Sequence, residues 1–240
     1  MTQVYDAAQL ALQATAALAL SHTACVAIVM YLDLSGRWKE YAMNQNRTIT
    51  AKTYMDGLVS FSFDLVLLLF PFLTWCFWYR WDEITRSNDT WMMSLTKLAL
   101  GYILGKIWAY HMHVALHHPA LYHFHRRHHK NTRVMTAASA WEDSMVEYMI
   151  MELPSFGITV LLFPTHFAFH LIHFCWHGWD GACGHCGFKA PGIIGYLFDG
   201  EYHYYHHAHL TVNYGEVEFL DLLFGTHHSQ LMHPKKEICS

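Results

Sequence analysis

Charge is scarce in this chain. Lysine, arginine, aspartate and glutamate make up 14% of its 240 residues, where a soluble domain carries about 25%. That deficit points to lipid contact. The net charge of −4 offers no basic field to a polyanion, so no nucleic-acid partner is expected. No repeat of solenoid length and no low-complexity tract occurs, and strand signals are weak throughout. The cysteines form no evident disulfide framework. Cys25, Cys76 and Cys175 lie in apolar runs, where they read as small hydrophobes, and Cys239 stands in the tail. Cys183-Gly-His185-Cys186 has the spacing of half a zinc knuckle but lacks the second half. No basic region precedes the first apolar stretch, which therefore reads as an anchor and not as a cleaved signal. No glycine-rich dinucleotide fingerprint stands in a strand–turn–helix context, and no His-Glu-x-x-His occurs, which weighs against a self-sufficient flavoenzyme and a membrane metalloprotease.

Apolar residues, in contrast, are abundant at 53%, and nine tryptophans suit two membrane interfaces. A membrane helix needs about 20 apolar residues, and four regions qualify. They are 8–32, 58–79 with a single acid at Asp64, 95–112, and 146–177. The last is long and contains Pro154 and Pro164, so it is either a re-entrant hairpin or two short helices broken at Pro164. The loop 33–57 holds Arg37, Lys39, Arg47 and Lys52, and the loop 118–145 holds Arg126, Arg127, Lys130 and Arg133. The loop 80–94 has only Arg80 and Arg86. The positive-inside rule puts the first two loops in the cytoplasm and the N-terminus on the far side. Residues 178–240 are mixed and polar and read as a cytoplasmic cap. The expectation is an all-α, integral membrane helical bundle of about four spans, with residues 1–240 as one domain and a cytoplasmic histidine-rich cap that carries two metal ions.

The 21 histidines carry the functional argument. Eight fall between His111 and His129, four between His166 and His177, and four between His203 and His209. His113 and His117 are i, i+4, as are His173 and His177, while His125, His128, His129 and His203, His206, His207 each spell His-x-x-His-His. Such spacings stack side chains on one helix face, so two imidazoles can converge on one ion and the third member of a triple can reach another. At this composition a His-x-x-x-His pair arises by chance about twice, but a His-x-x-His-His triple only roughly 0.15 times. A histidine-rich buffering loop or metal transporter is the rival reading, although such loops are repetitive and a transporter places ionisable ligands in mid-span. Neutral imidazole suits Zn, Cu, Fe and Ni. Ten candidate ligands exceed the need of one zinc, and two redox-active irons would explain the demand.

The order and spacing of these groups resemble the fatty acid hydroxylase and sterol desaturase superfamily over about residues 95–228. The segment from His113 to Lys130 is similar to that family's first two boxes. His177-Gly178-Trp179-Asp180 is similar to the third box, and Asp199-Gly200-Glu-Tyr-His203-Tyr-Tyr-His206-His207 to the fourth. Asn213-Tyr214-Gly215 with Asp221 to Thr226 resembles the closing motif. The resemblance implies His113, His117, His125, His128, His129, His177, His203, His206 and His207 as metal ligands, with His128 and His206 at the centre. His173 is the tenth, with His166 and His170 as rivals for that place. It implies a pair of iron ions, for which zinc can substitute on purification. The activity implied is hydroxylation, desaturation or lyase chemistry at a C–H bond of a lipid such as a sterol or fatty acyl chain, using O₂. Electrons would come from a separate carrier such as cytochrome b5 or a comparable reductase. The location would be a membrane, the endoplasmic reticulum in a eukaryote, with the site facing the cytoplasm.

His22 reads as a core group. His111, His118, His123 and His209 flank the boxes, and His227, His228 and His233 read as surface residues. Glu142, Asp180, Asp199 and Asp221 are the acids expected to receive the second ring N–H of the ligands. Glu152 and Asp64 fall at membrane depth, where an ionisable group is a functional suspect, against interfacial placement or helix capping.

Overall fold

The structure, a computed structural model, describes residues 2–131, 134–195 and 197–232. Arg133, His233 and Cys239 lie outside the described residues. The chain is helical, and among the described residues the only β pairing is two isolated bridges, Ala42 with Phe188 and Lys189 with Asp199. Helix α1 runs over Thr2–Ser35 and stops at Gly36, whose φ of 67° is a left-handed conformation that glycine adopts without strain. Helix α2, Ala51–Tyr79, opens on Thr50, whose side chain accepts from the Thr53 backbone N–H. Helix α3, Trp91–Leu116, opens in the same way on Thr90. Helix α4, Met145–Leu162, opens on a capping box between Ser144 and Glu147. Helix α5, Phe167–Gly184, follows the break at Pro164, so the long apolar stretch is two helices. Two short helices in the cap, α6 at Glu201–His209 and α7 at Glu218–Phe224, complete the frame.

Both α2 and α4 contain a π-helical stretch, Leu65–Leu69 and Tyr148–Glu152, each just ahead of a proline, Pro71 and Pro154. A proline has no N–H to give and its ring crowds the carbonyl one turn back. The wider π turn relieves that clash without breaking the helix.

Among the described residues three helices, α1, α2 and α4, are both long and apolar enough to cross a membrane. The expected span at 95–112 lies inside α3, which has the length but carries Lys97 and Lys106 and is less apolar. Lys106 is nonetheless buried, because Asp180 of α5 and Glu216 both bond its ammonium.

Helix α1 lays a row of small buried residues, Ala7, Ala11 and Ala14, into the core and packs along α5 and the second half of α2. The approach of α1 to α5 is closest at Gly178, where a Cβ would collide with the Leu18 carbonyl oxygen and Ser21 Oγ. Gly178→Ala should therefore destabilise the bundle by about 1–3 kcal/mol, read as a lowered midpoint of thermal unfolding in detergent. An unchanged midpoint would contradict this close contact.

The two basic loops meet at one end of the bundle. The buried Arg47 guanidinium pairs with Asp33 at the end of α1, and it donates to the Met135, Cys186 and Gly187 carbonyls. Its plane lies 4.3 Å from the centre of the Phe188 ring.

Candidate metal centre

The C-terminal ends of α3 and α5 and the N-terminal end of α4 meet beneath the cap, and the histidines gather there in two groups. His113, His117, His125, His129 and His206 form the first, and His128, His185, His203 and His207 the second. Within each group the ligand-type atoms all lie within 4.8 Å of one another. Each His-x-x-His-His triple is divided between them. His125 and His129 turn to the first group while His128 turns to the second, and His203 and His207 join the second while His206 joins the first. The groups are neighbours, with the His129 and His207 ring centres 4.4 Å apart.

The ring nitrogens show what the arrangement is for. In the first group the Nε2 of His125 lies 3.0 Å from that of His113 and 2.8 Å from that of His129. His206 Nε2 is 3.1 Å from His117 Nε2 and 3.2 Å from His129 Nε2. In the second group His128 and His185 face each other at 3.2 Å, and His203 and His207 at 3.1 Å. The opposite nitrogens fix the tautomers. His113 Nδ1 lies 2.6 Å from the Tyr214 carbonyl, His206 Nδ1 2.8 Å from Val212, and His185 Nδ1 3.0 Å from Gly181. A carbonyl oxygen can only accept, so each of these Nδ1 atoms donates a hydrogen and each Nε2 presents a lone pair. Lone pairs converging at 3 Å repel one another unless a cation stands between them. Nitrogen donors about 2.1 Å from one ion and at right angles would lie about 3.0 Å apart, so the residues fit a metal.

Electrostatics agree. Burial, and then the crowding of other imidazoles, hold His125, His128, His129, His203, His206 and His207 well below the ordinary histidine range. Burial pushes His185 down to about 4. The cluster is therefore neutral near pH 7, the form in which imidazole binds metal.

Two carboxylates complete the support. Glu147 Oε1 accepts from His125 Nδ1 at 2.5 Å, and Asp143 Oδ1 from His128 Nδ1 at 3.0 Å. Burial and the nearby Glu147 push the Asp143 carboxyl well above its usual range. None of the four acids expected in this role holds a ligand ring. Glu142 pairs with Lys130, Asp180 with Lys106, and Asp199 accepts from the Glu201 backbone N–H. Asp221 acts one step further out, because it accepts from the Tyr214 and Gly215 N–H groups and so shapes the loop whose carbonyl holds His113. Glu147→Gln should weaken metal binding about 10–100-fold, the usual effect of removing such an outer partner. The check is the chelator concentration that strips half the metal, and an unchanged value would remove Glu147 from the site.

His173 and His177 are not brought into either group, a departure from the ligand set implied by resemblance. They lie against each other on α5 with ring centres 4.5 Å apart, and His177 packs on Phe156 and Tyr102. The reason is register. His185 caps the end of α5, and eight residues of helix separate it from His177, a rise of about 12 Å. His170 and His166 stay with the segment before α5, bonding the Thr165 N–H and the Asp89 carbonyl. His22 is a core group, accepting from Trp141 Nε1 at 3.1 Å. His185 was missed because it pairs with no other histidine at helical spacing. Its only signal was the Cys-Gly-His-Cys run around it.

A membrane helical bundle that converges nine neutral imidazoles on two adjoining points defines a histidine-based metal protein. The pattern of the fatty acid hydroxylase family matches residues 98–226, more than half of the chain, and the chain belongs to that family. It is 28% identical over 176 residues to fatty acid hydroxylase domain-containing protein 2 of Homo sapiens, covering 73% of this chain and 50% of that protein. It is 26% identical over 209 residues to fatty acid hydroxylase ahd1 of Mycosarcoma maydis, covering 81% of this chain and 51% of that protein. The chain thus spans about half the length of the curated relatives it matches. No solved structure matches it.

Proposed function

We propose that the chain is the catalytic part of a membrane-bound non-haem di-iron oxygenase that hydroxylates, or desaturates, a C–H bond of a lipid such as a sterol or fatty acyl chain. The observation that carries this reading is the pair of adjoining Nε2 clusters. His113, His117, His125, His129 and His206 would hold one ion, and His128, His185, His203 and His207 the other. A hydrolase needs one metal-bound water of lowered pKa and gains little from so many nitrogens, whereas two redox-active ions supply O₂ activation when electrons are delivered from outside.

The chain's own residues provide the frame. Glu147 and Asp143 hold the Nδ1 hydrogens of His125 and His128, fixing which nitrogen faces inward. A cavity of about 240 Å³ opens beside both groups, lined by His113, His128, His185 and His203 and on its apolar side by Trp141 and Met151. It suits a lipid chain kept away from bulk water. The electron donor in this reading is a carrier of the cytochrome b5 type or a reductase, as the family resemblance implies. The Lys and Arg distribution supports a cytoplasmic face for the site, and the family resemblance implies the endoplasmic reticulum in a eukaryotic cell.

Lipid profiling of cells with and without the protein should reveal a product heavier by one oxygen, or lighter by two hydrogens. For a hydroxylated product, isotopically labelled O₂ should place its label in the lipid. Oxygen derived from water, or turnover that persists without O₂ and reductant, would overturn the oxygenase reading in favour of a hydrolase.

A further inference from the structure

The cavity beside the metal centre is lined by four carboxylates, Glu152, Asp180, Asp199 and Glu216, and by no lysine or arginine among the described residues. Three of the four are engaged. Asp180 and Glu216 share the Lys106 ammonium, and Asp199 accepts from the Glu201 N–H at 3.0 Å. Glu152 differs. Its carboxyl group makes no hydrogen bond or ion pair among the described residues, although it lines the same cavity as His113, His128, His185 and His203. It also closes the π-helical stretch Tyr148–Glu152, in a helix long and apolar enough to cross a membrane. An acid at such depth with no hydrogen bond of its own, and with Lys106 its attractive charge but already bonded to Asp180 and Glu216, is expensive to keep, and π stretches recur at functional sites. A strong acceptor thus faces a cavity with nothing to accept from.

We propose that Glu152 receives the polar end of the lipid, accepting a hydrogen bond from an uncharged donor, and that it makes the site select lipid alcohols over the corresponding carboxylates. The proposal rests on reading the cavity as the lipid site. A hydroxyl satisfies Glu152 directly. A fatty carboxylate brings no donor, and it would join four acids whose nearby cation, Lys106, already serves two of them. Like charges so close cannot all stay ionised out of water. The selection has a use at this particular centre. Imidazoles are neutral, so a metal pair held by them draws anions, and a free carboxylate would tend to ligate the ions head first. An acidic wall opposes that entry and leaves the hydrocarbon to approach the centre.

The test is equilibrium binding of tritiated hexadecan-1-ol and hexadecanoate to the full chain in detergent, at pH 7.5, without O₂ or reductant. The wild type should bind the alcohol roughly tenfold or more tighter than the carboxylate, the scale of one buried polar group left without its hydrogen bond. Glu152→Leu should weaken alcohol binding by roughly tenfold, and Glu152→Gln, which keeps an acceptor oxygen, should retain most of it while narrowing the alcohol-to-carboxylate ratio. Metal content and helicity, measured on each variant, show that it is folded, and a merely structural role would not move the ratio. Equal wild-type affinities, no binding of either lipid, or a ratio that both variants leave unchanged would overturn the proposal. Because binding is read without turnover, a ratio that behaves as stated in a protein that never oxygenates a lipid would sink the oxygenase reading and leave this one standing.

Discussion

His206→Ala is expected to abolish turnover and to reduce the metal content from two ions per chain to about one. His206 stands at the middle of the first group. Its Nε2 is within 3.2 Å of the Nε2 atoms of both His117 and His129, and its Nδ1 hydrogen is fixed on the Val212 carbonyl. Alanine removes a donor from the centre of the site and leaves a void lined by neutral rings that cannot move in to replace it, because His113 and His125 are each held from behind by their own acceptors. Removing an outer partner such as Glu147 lowers affinity about 10–100-fold, and losing a direct ligand should exceed that. His128→Ala should have the same effect on turnover by emptying the second group instead. Elemental analysis of metal-replete protein, with lipid turnover measured in parallel, separates the two. Full occupancy and retained turnover in His206→Ala would remove the first group from the reaction.

Features that depend on neighbours in sequence were legible before the structure. The break at Pro164 follows from proline's missing donor, and the division of His203, His206 and His207 between two groups follows from their spacing on one helix. Features that depend on how helices meet were not. The row of apolar residues at 95–112 reads as a span from sequence, but how it accommodates Lys106 shows only in the fold, where the ammonium finds Asp180 and Glu216 across the bundle. Glu142 and Asp143 are adjacent in a segment without periodicity, so no rule tells which of them points inward. In the structure Asp143 reaches His128 while Glu142 turns to Lys130. Glu147 reads as half of a capping box with Ser144, and it is one, but its other oxygen also holds His125.

The register of α5 is the largest of these differences, and it sets up an opposed pair of variants. His185→Ala should strip the ion of the second group, whereas His177→Ala should leave both ions bound. His185 Nε2 faces His128 Nε2 at 3.2 Å, and its Nδ1 hydrogen is held by the Gly181 carbonyl one turn back, so it is both aimed and braced as a ligand. His177 lies about 12 Å earlier along the helix, where its ring packs on Phe156 and Tyr102 beside His173. Sliding α5 far enough to exchange the two would carry Gly178 away from α1, and a residue with a Cβ would then meet the Leu18 carbonyl oxygen and Ser21 Oγ. The packing of α1 on α5 thus decides which histidine reaches the metal. His177 does line the cavity, so its alanine variant should alter turnover through the lipid and not through the ions. Metal content measured side by side gives the answer. If His177→Ala loses an ion while His185→Ala keeps two, the third histidine box supplies the ligand as the family resemblance implies, and the register of α5 described above is wrong for the metal-loaded protein.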